Sequence, residues 1–396
     1  MTTPICDFVR QYDRHRWHMP AHKGEGVLGV EKYDITEVAG ADSLYTANGI
    51  IAESEANASR LFGCPTFYST EGSSQCIRAM LYLATRRNRK VLAARNCHTA
   101  FLSAAALLDL DVTWAEDVTN LSVTPEYAAV YVTSPDYLGR MTDVATLAER
   151  CHAVGVKLLV DNAHGAYLRF LKPSLHPMDL GADLCCDSAH KTLPVLTGGA
   201  YLHTRNREGV KEALALFGST SPSYLILQSL DAANVFLENF RPHLTVPDLP
   251  FDRAGDEPLK VTLAPKSRGY TGVELAEILR KNGYESEFFD PDFLVLMPKS
   301  GENLSILSTF LDLPARPPIL SAPPKLCVPQ RAMSIREAML AESETVPIAQ
   351  ALGRVLAQPS VFCPPAIPIL VCGEVIDEAA IAAFSYYNIR EIRVVV

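Results

Sequence analysis

Between about residues 41 and 245, stretches with helical periodicity alternate with short apolar runs. This alternation constrains the chain more than anything else, because it is the signature of an α/β layer built on a mostly parallel sheet. Thr66-Phe-Tyr-Ser69, Lys90-Val-Leu-Ala-Ala94, Ala128-Ala-Val-Tyr-Val-Thr133, Lys157-Leu-Leu-Val160 and Asp183-Leu-Cys-Cys186 read as strands. Residues 53–62, 73–87 and 100–110 read as helices, the second with Ile77, Met80, Leu81 and Ala84 on one face. Thr142-Asp143 caps a further helix that ends near Gly155. Open parallel sheets bind ligands beyond the carboxyl ends of their strands, so the polar residues there are the candidates for chemistry.

At 396 residues two or three domains are expected. Residues 1–40 are polar and glycine-containing, and read as an N-terminal arm or loop. Residues 41–245 form the large domain. Residues 246–312 form a small α+β domain, with a helix over 273–282 and short strands within 288–297. Six prolines in 313–329 make a semi-rigid linker. Residues 330–396 form a C-terminal domain with a helix near 334–341.

The formal net charge of −9 and the absence of a basic stripe exclude nucleic acid as the main partner. Arg86-Arg-Asn-Arg-Lys90 is short and reads as a solvated helix end. None of the ten cysteines falls in a CxxC pair, so no metal site is expected. Asp7, Arg10, Asp13 and Arg14 interrupt the N-terminus before an apolar leader can form. No uncharged apolar stretch reaches the roughly 18 residues that span a bilayer. A cytoplasmic protein with reduced thiols, away from the membrane, is the expectation.

The run Asp187-Ser-Ala-His-Lys-Thr-Leu193 follows a strand and places Lys191 beside Ser188 and His190. A desolvated lysine amine loses its proton and attacks carbonyls; alone, Lys191 would read as an exposed loop lysine. Asp161 ends another strand and opens Asp-Asn-Ala-His-Gly165, where the plainer reading is a turn cap. Glu71-Gly-Ser-Ser-Gln75 joins a strand to a helix, so Gly72, Ser73 and Ser74 offer an anion cradle or a simple N-cap. Pyridoxal 5′-phosphate (PLP) needs such a set: a lysine, an anion at the pyridine nitrogen, a phosphate cradle and a stacking surface. Lys191, Asp161 and Ser73–Ser74 supply the first three, and His98 in Arg95-Asn-Cys-His98 is the stacking candidate. His164 lines the cofactor or is a structural histidine.

These segments resemble the prokaryotic ornithine/lysine/arginine decarboxylases, fold type I PLP enzymes, over nearly the whole chain. The resemblance is carried by Met19-Pro-Ala-His-Lys-Gly24, Tyr33-Asp-Ile-Thr-Glu37, Ala41-Asp-Ser-Leu44 and Gly49-Ile-Ile51. Thr133-Ser-Pro-Asp-Tyr137, Asp161-Asn-Ala-His-Gly165 and, most specifically, Ser188-Ala-His-Lys-Thr-Leu193 continue it. Ser219-Thr-Ser-Pro-Ser-Tyr224 and Ser229-Leu-Asp-Ala232 follow, then Ser334-Ile-Arg-Glu-Ala338, Glu344-Thr-Val-Pro347 and Pro364-Pro-Ala-Ile-Pro368 in the tail. The resemblance implies Lys191 as the Schiff-base lysine, Asp161 at the pyridine nitrogen and His98 on the ring. It implies Ser73, Ser74, Ser188 and His190 near the phosphate. It also implies a homodimer in which Ser219 and Thr220 reach the partner's cofactor. Glu374 is placed near the distal cation of a basic amino acid, since a carboxylate suits an ammonium or guanidinium.

The implied reaction is decarboxylation of lysine, arginine or ornithine to a di- or polyamine. Orientation of the scissile bond is the protein's contribution, and Lys191 or His190 returns the proton. The chain departs from the family pattern at Gly198, Ala366 and Cys372, and is shorter than most members. These departures bear on substrate and turnover more than on the cofactor site. An aminotransferase or other lyase on the same fold, and a PLP-binding homologue without turnover, are the alternatives. A dehydrogenase ranks last because no GxGxxG follows an early strand.

Overall fold

The computed structural model describes residues 1–115, 122–326, 328–363 and 367–396. Pro364, Pro365 and Ala366 of the tail motif, and one of the ten cysteines, Cys327, lie outside the described residues. Seven strands form the main sheet: β1 (Thr66–Ser69), β2 (Lys90–Ala94), β3 (Asp111–Ala115), β4 (Ala129–Thr133), β5 (Lys157–Asp161), β6 (Leu184–Asp187) and β7 (Ala200–Thr204). Their order is β1-β7-β6-β5-β4-β2-β3, a mostly parallel sheet. Within it β5 pairs parallel with β6, and β2 parallel with β3. Only β7 is seen to run against both its neighbours, β1 and β6. This is the α/β layer on a mostly parallel sheet expected from the alternating pattern.

The chain divides into two compact units. The first comprises Met1–Asn88, Val123–Tyr131 and Asp143–Arg241. Its helices include α1 (Pro4–Gln11), α2 (Ile50–Phe62) and α3 (Gly72–Thr85), with α4 (Val144–Ala153), α5 (Ala189–Thr192), α6 (Val210–Leu216) and α7 (Tyr224–Glu238) following. The start of the chain is more than a loose arm. Ile5 and Val9 on α1 are buried, and the Ile5 and Cys6 backbone N–H groups donate to Asp231 on α7, both at 3.0 Å. Apolar spacing too short for a confident helix hid this element from the sequence. The Asp143 side chain accepts from Thr146 N–H, as capping chemistry requires, and Gly155 takes φ +72 past the helix end. Burial in the central strands is complete on both faces, so Ala129 to Val132 and Leu158 to Val160 read as unbroken apolar runs.

The second unit comprises Arg89–Ser122, Val132–Thr142 and Pro242–Val396. A four-stranded sheet has Val261–Ala264 flanked by Asp252–Ala254 and Leu294–Leu296, all antiparallel. Val261, Leu263, Leu275, Leu279 and Leu294 fill its core against the helix Gly272–Lys281. That helix begins with a capping box between Thr271 and Glu274. A separate apolar cluster around Leu356, Leu370, Phe384 and Val394 holds the C-terminal segment. The proline-rich stretch takes no regular form, yet it is tied down: Arg316 N–H donates to Arg268 and Ile319 N–H to Lys266, both to carbonyls. Its fixed φ angles shorten the search for that path.

Candidate active site

Two adjacent strand ends carry the central groups, all in the first unit. Asp161 closes β5 and is 1% exposed. Its oxygens accept from Tyr131 Oη at 3.1 Å, Ala163 N–H at 3.2 Å and Cys186 Sγ at 3.6 Å. One turn beyond the end of β6, Lys191 Nζ lies 3.0 Å from His164 Nε2. His164 is itself buried, so both loops that follow the strands supply a member of this pair. Parallel strands present their carboxyl ends on one side, which is why motifs 27 residues apart meet.

The 14-residue helix α3 begins at Gly72, which adopts φ +71. A Cβ added there would meet no atom within 4 Å, so the start of the helix is open. Ser73 Oγ accepts from Ser188 Oγ at 2.7 Å, bringing the serine of the lysine loop onto the serines of the cradle. Gly72 N–H donates at 2.7 Å to the carbonyl of Gly198, which holds φ +100. A Cβ at Gly198 would stand 3.0 Å from the Thr70 carbonyl oxygen, so glycine at this departure from the family pattern has a backbone reason. His190 Nδ1 lies 3.0 Å from the Gly199 carbonyl, which fixes that nitrogen as the donor and leaves Nε2 to accept. Ser219 and Thr220 lie on an exposed loop of the same unit, with Ser219 N–H donating to Glu71.

His98 and Glu374 belong to the second unit. His98 caps the helix Thr99–Leu108, its Nδ1 accepting from Ala100 N–H at 3.1 Å, and is exposed. Glu374 spends both carboxylate oxygens on Arg95, at 2.6 and 2.7 Å, and also accepts from Val371 N–H at 2.8 Å. Arg95 sits at the end of β2, three residues before His98. The carboxylate assigned from sequence to a substrate cation therefore already has an arginine partner within its own unit. Cys372, the neighbouring departure, is buried, and burial pushes its thiol up to about 12.

Sequence reasoning missed a fully buried trio beneath the lysine loop. Asp187 Oδ2 lies 3.1 Å from His176 Nε2 and 3.0 Å from His203 Nε2, while Oδ1 accepts from Asn162 Nδ2 at 2.7 Å. Burial works to raise the Asp187 carboxyl, but the two imidazoles outweigh it and hold it well below the usual range. Burial lowers His203 against the pull of Asp187. Among the described residues this is a cluster of metal-ligating type, its donor atoms within 4.8 Å of one another. Its short contacts are hydrogen bonds that consume both Nε2 atoms.

The residues present fit PLP. An open helix start with two serines suits a phosphate, and a buried, hydrogen-bonded carboxylate suits a protonated pyridine nitrogen. Lys191 brings the amine within reach of a histidine, and the nearby Thr192 hydroxyl is buried without a partner among the described residues. A mostly parallel sheet with these loops defines a fold type I PLP enzyme.

The comparisons narrow the class. Residues 8–117 and 110–244 match the family model "Orn/Lys/Arg decarboxylase, major domain", and residues 320–392 match "Orn/Lys/Arg decarboxylase, C-terminal domain". The uncharacterized protein YaaO of Bacillus subtilis is 28% identical, covering 97% of this chain and 94% of its own length. An arginine decarboxylase of Halalkalibacterium halodurans is also 28% identical, over 96% of this chain and 92% of its own. Among solved structures, the Francisella novicida lysine decarboxylase LdcF superposes with a TM-score of 0.76 at 14% identity, covering 100% of this chain and 81% of that one. The chain belongs to the Orn/Lys/Arg decarboxylase family. It is an amino-acid decarboxylase and its cofactor is PLP. No helix among the described residues is long and apolar enough to cross a membrane.

Proposed function

We propose that this chain decarboxylates a basic amino acid to the corresponding di- or polyamine, with arginine ahead of lysine and ornithine. The observation that carries the proposal is the pairing of Lys191 Nζ with His164 Nε2 on the loop that also begins with buried Asp161. Several curated relatives bear the name arginine decarboxylase, which favours arginine. The likeness to lysine decarboxylase structures carries the fold alone.

In this reading Lys191 would hold the cofactor through its side-chain amine. Asp161 would face the pyridine nitrogen, and the donors from Tyr131, Ala163 and Cys186 hold its carboxylate in place for that role. Gly72, Ser73, Ser74 and Ser188 would hold the phosphate, His190 braces the same loop through Gly199, and His98 would serve as the stacking residue. When bound, PLP supplies the electron sink for the pair released as CO2 leaves. Lys191 Nζ, or His190 Nε2 once it has accepted a proton, returns a proton to the substrate Cα. Holding the scissile bond in position is worth several kcal/mol of barrier, and it is the protein's main contribution.

A homodimer in the cytoplasm belongs to the same reading, with Ser219 and Thr220 serving the partner's site. Supporting it, Trp17 is 91%, Val27 100% and Leu28 78% exposed in the N-terminal segment, an apolar surface that water disfavours. The test is CO2 release by the purified protein with added PLP from arginine, lysine and ornithine, with keto-acid formation measured in parallel. Stoichiometric CO2 and amine from one of them supports the proposal. Keto acid without CO2 would transfer it to the aminotransferases. Lys191→Ala is expected to lose the visible absorbance of lysine-bound cofactor and all turnover.

A further inference from the structure

The two groups that the proposed function places at opposite ends of the cofactor ring, Asp161 and Lys191, sit on different loops. Nothing in the β-ladder fixes their separation. The last parallel pair of the β5–β6 ladder is Asp161 with Cys186, and β6 continues for one more residue, Asp187, paired with Tyr201 of β7. Two further bonds bridge β5 and β6 there. Asn162 N–H donates to the Cys186 carbonyl at 2.9 Å, and Asn162 Nδ2 donates to Asp187 Oδ1 at 2.7 Å. Asn162 is the residue after Asp161, and Asp187 directly precedes Ser188, which starts the turn holding Lys191.

The other oxygen of Asp187 is anchored from two more directions. His176 comes from the loop after the turn Ala166–Phe170, and His203 from strand β7. His203 Nδ1 is in turn 2.9 Å from Thr66 Oγ1 on β1. Cys185 Sγ also donates to Oδ1, at 3.7 Å, and Asp187 and the four side chains around its carboxylate, Asn162, His176, Cys185 and His203, are all 0% exposed. Asp187 is thus a buried acceptor gathering N–H donors from three separate segments. Asparagine in its place would turn an amide N–H toward either Asn162 Nδ2 or the two imidazoles, so at least one donor would face a donor. The Asn162 side chain is also closely confined, because a Cβ at Gly165 would stand 1.9 Å from its Oδ1.

We propose that Asp187 is a positioning residue which, through Asn162, sets the spacing between the Asp161 carboxylate and the Lys191 amine. The inference rests on the cofactor roles given above to Asp161 and Lys191. A rigid ring held at both ends tolerates errors of only about 0.5 Å, and misplacement near 1 Å costs about 100-fold in rate. The histidines anchor the carboxylate in the core, while the asparagine transmits its position to the neighbouring loop. The two sides of Asp187 therefore have separable consequences.

Asn162→Ala cuts the side-chain tie between the two loops and leaves the backbone bond from Asn162 N–H to Cys186. With the full-length protein folded, as judged by circular dichroism and melting temperature, kcat is expected to fall about 10- to 100-fold with little change in KM for the amino acid. Cofactor retention after dilution into PLP-free buffer, followed by visible absorbance, is expected to fall about tenfold or more. Asn162→Ser, which truncates the side chain less, is measured alongside in case alanine impairs folding. His176→Gln keeps an N–H for Asp187 and is expected to lower stability while leaving kcat and cofactor retention near wild type. The proposal is overturned if a folded Asn162 variant retains cofactor and kcat like wild type, or if His176→Gln loses both as severely. Lys191→Ala separates the two levels: if it retains lysine-type absorbance, the cofactor assignment itself is wrong, whatever Asn162 does.

Discussion

Replacing Glu374 by glutamine distinguishes the role seen in the structure from the one its position in the sequence suggests. The side chains of Arg95 and Glu374 are 15% and 3% exposed, so the pair is largely out of water. Glutamine retains one acceptor for Arg95 but turns N–H donors toward the guanidinium or toward Val371 N–H. Removing one partner of a buried pair costs about 3–5 kcal/mol. Arg95 keeps some solvent and a 3.4 Å contact to the Ile369 carbonyl, which favours the lower end, about 3 kcal/mol. For a domain of 150–250 residues each kcal/mol moves the melting temperature by about 2–4 °C, so a fall of about 6–12 °C is expected. Calorimetry on Glu374→Gln measures it, and the double variant Arg95→Met/Glu374→Gln should recover much of the loss because no charge is left stranded. A Glu374→Gln protein that melts like wild type but shows a raised KM for the amino acid would refute this reasoning. That result would return Glu374 to the substrate's distal cation.

Three further outcomes are expected. Tyr131→Phe removes the hydroxyl 3.1 Å from Asp161; a hydrogen bond to a charged group is worth about 1.5–3 kcal/mol, so the melting temperature should fall and cofactor retention should weaken by up to about 100-fold. Burial raises the Asp290 carboxyl to about 6, above the 3.8 of an ordinary aspartate, so the folded protein keeps a proton that the unfolded chain releases. Stability is therefore lost as pH rises from about 4 to 6, by at most about 3 kcal/mol, and Asp290→Asn should raise the melting temperature at pH 7.5 but not at pH 4. An equal effect at both values would contradict that assignment. Trp17→Ser combined with Leu28→Ser should weaken self-association in sedimentation velocity, and an unchanged sedimentation coefficient across dilution would remove those residues from the interface.

Much of this site is legible in sequence because its parts are contiguous in the chain. Gly72-Ser-Ser74, Asp161-Asn-Ala-His164 and Ser188-Ala-His-Lys191 each follow a strand whose apolar run is plain, and a parallel sheet places such loops side by side. The α1 helix was less legible, since eight residues give little periodicity and its stability comes from burying Ile5 and Val9 and from Asp231, 226 positions away from Ile5. In sequence Gly198 is only a departure from the family pattern, whereas its φ of +100 and its bond from Gly72 N–H make it part of the cradle.

The sequence by itself determined the α/β class, the loops that carry chemistry and the residue types those loops offer, because periodicity and turn chemistry are local properties. Only the tertiary structure decided which charges neutralise one another. Arg95 meets Glu374 across 279 positions, and His176 and His203 converge on Asp187 from separate segments. A buried charge is satisfied by whatever the fold brings within about 3 Å, and nothing in the spacing of residues along a chain encodes that distance.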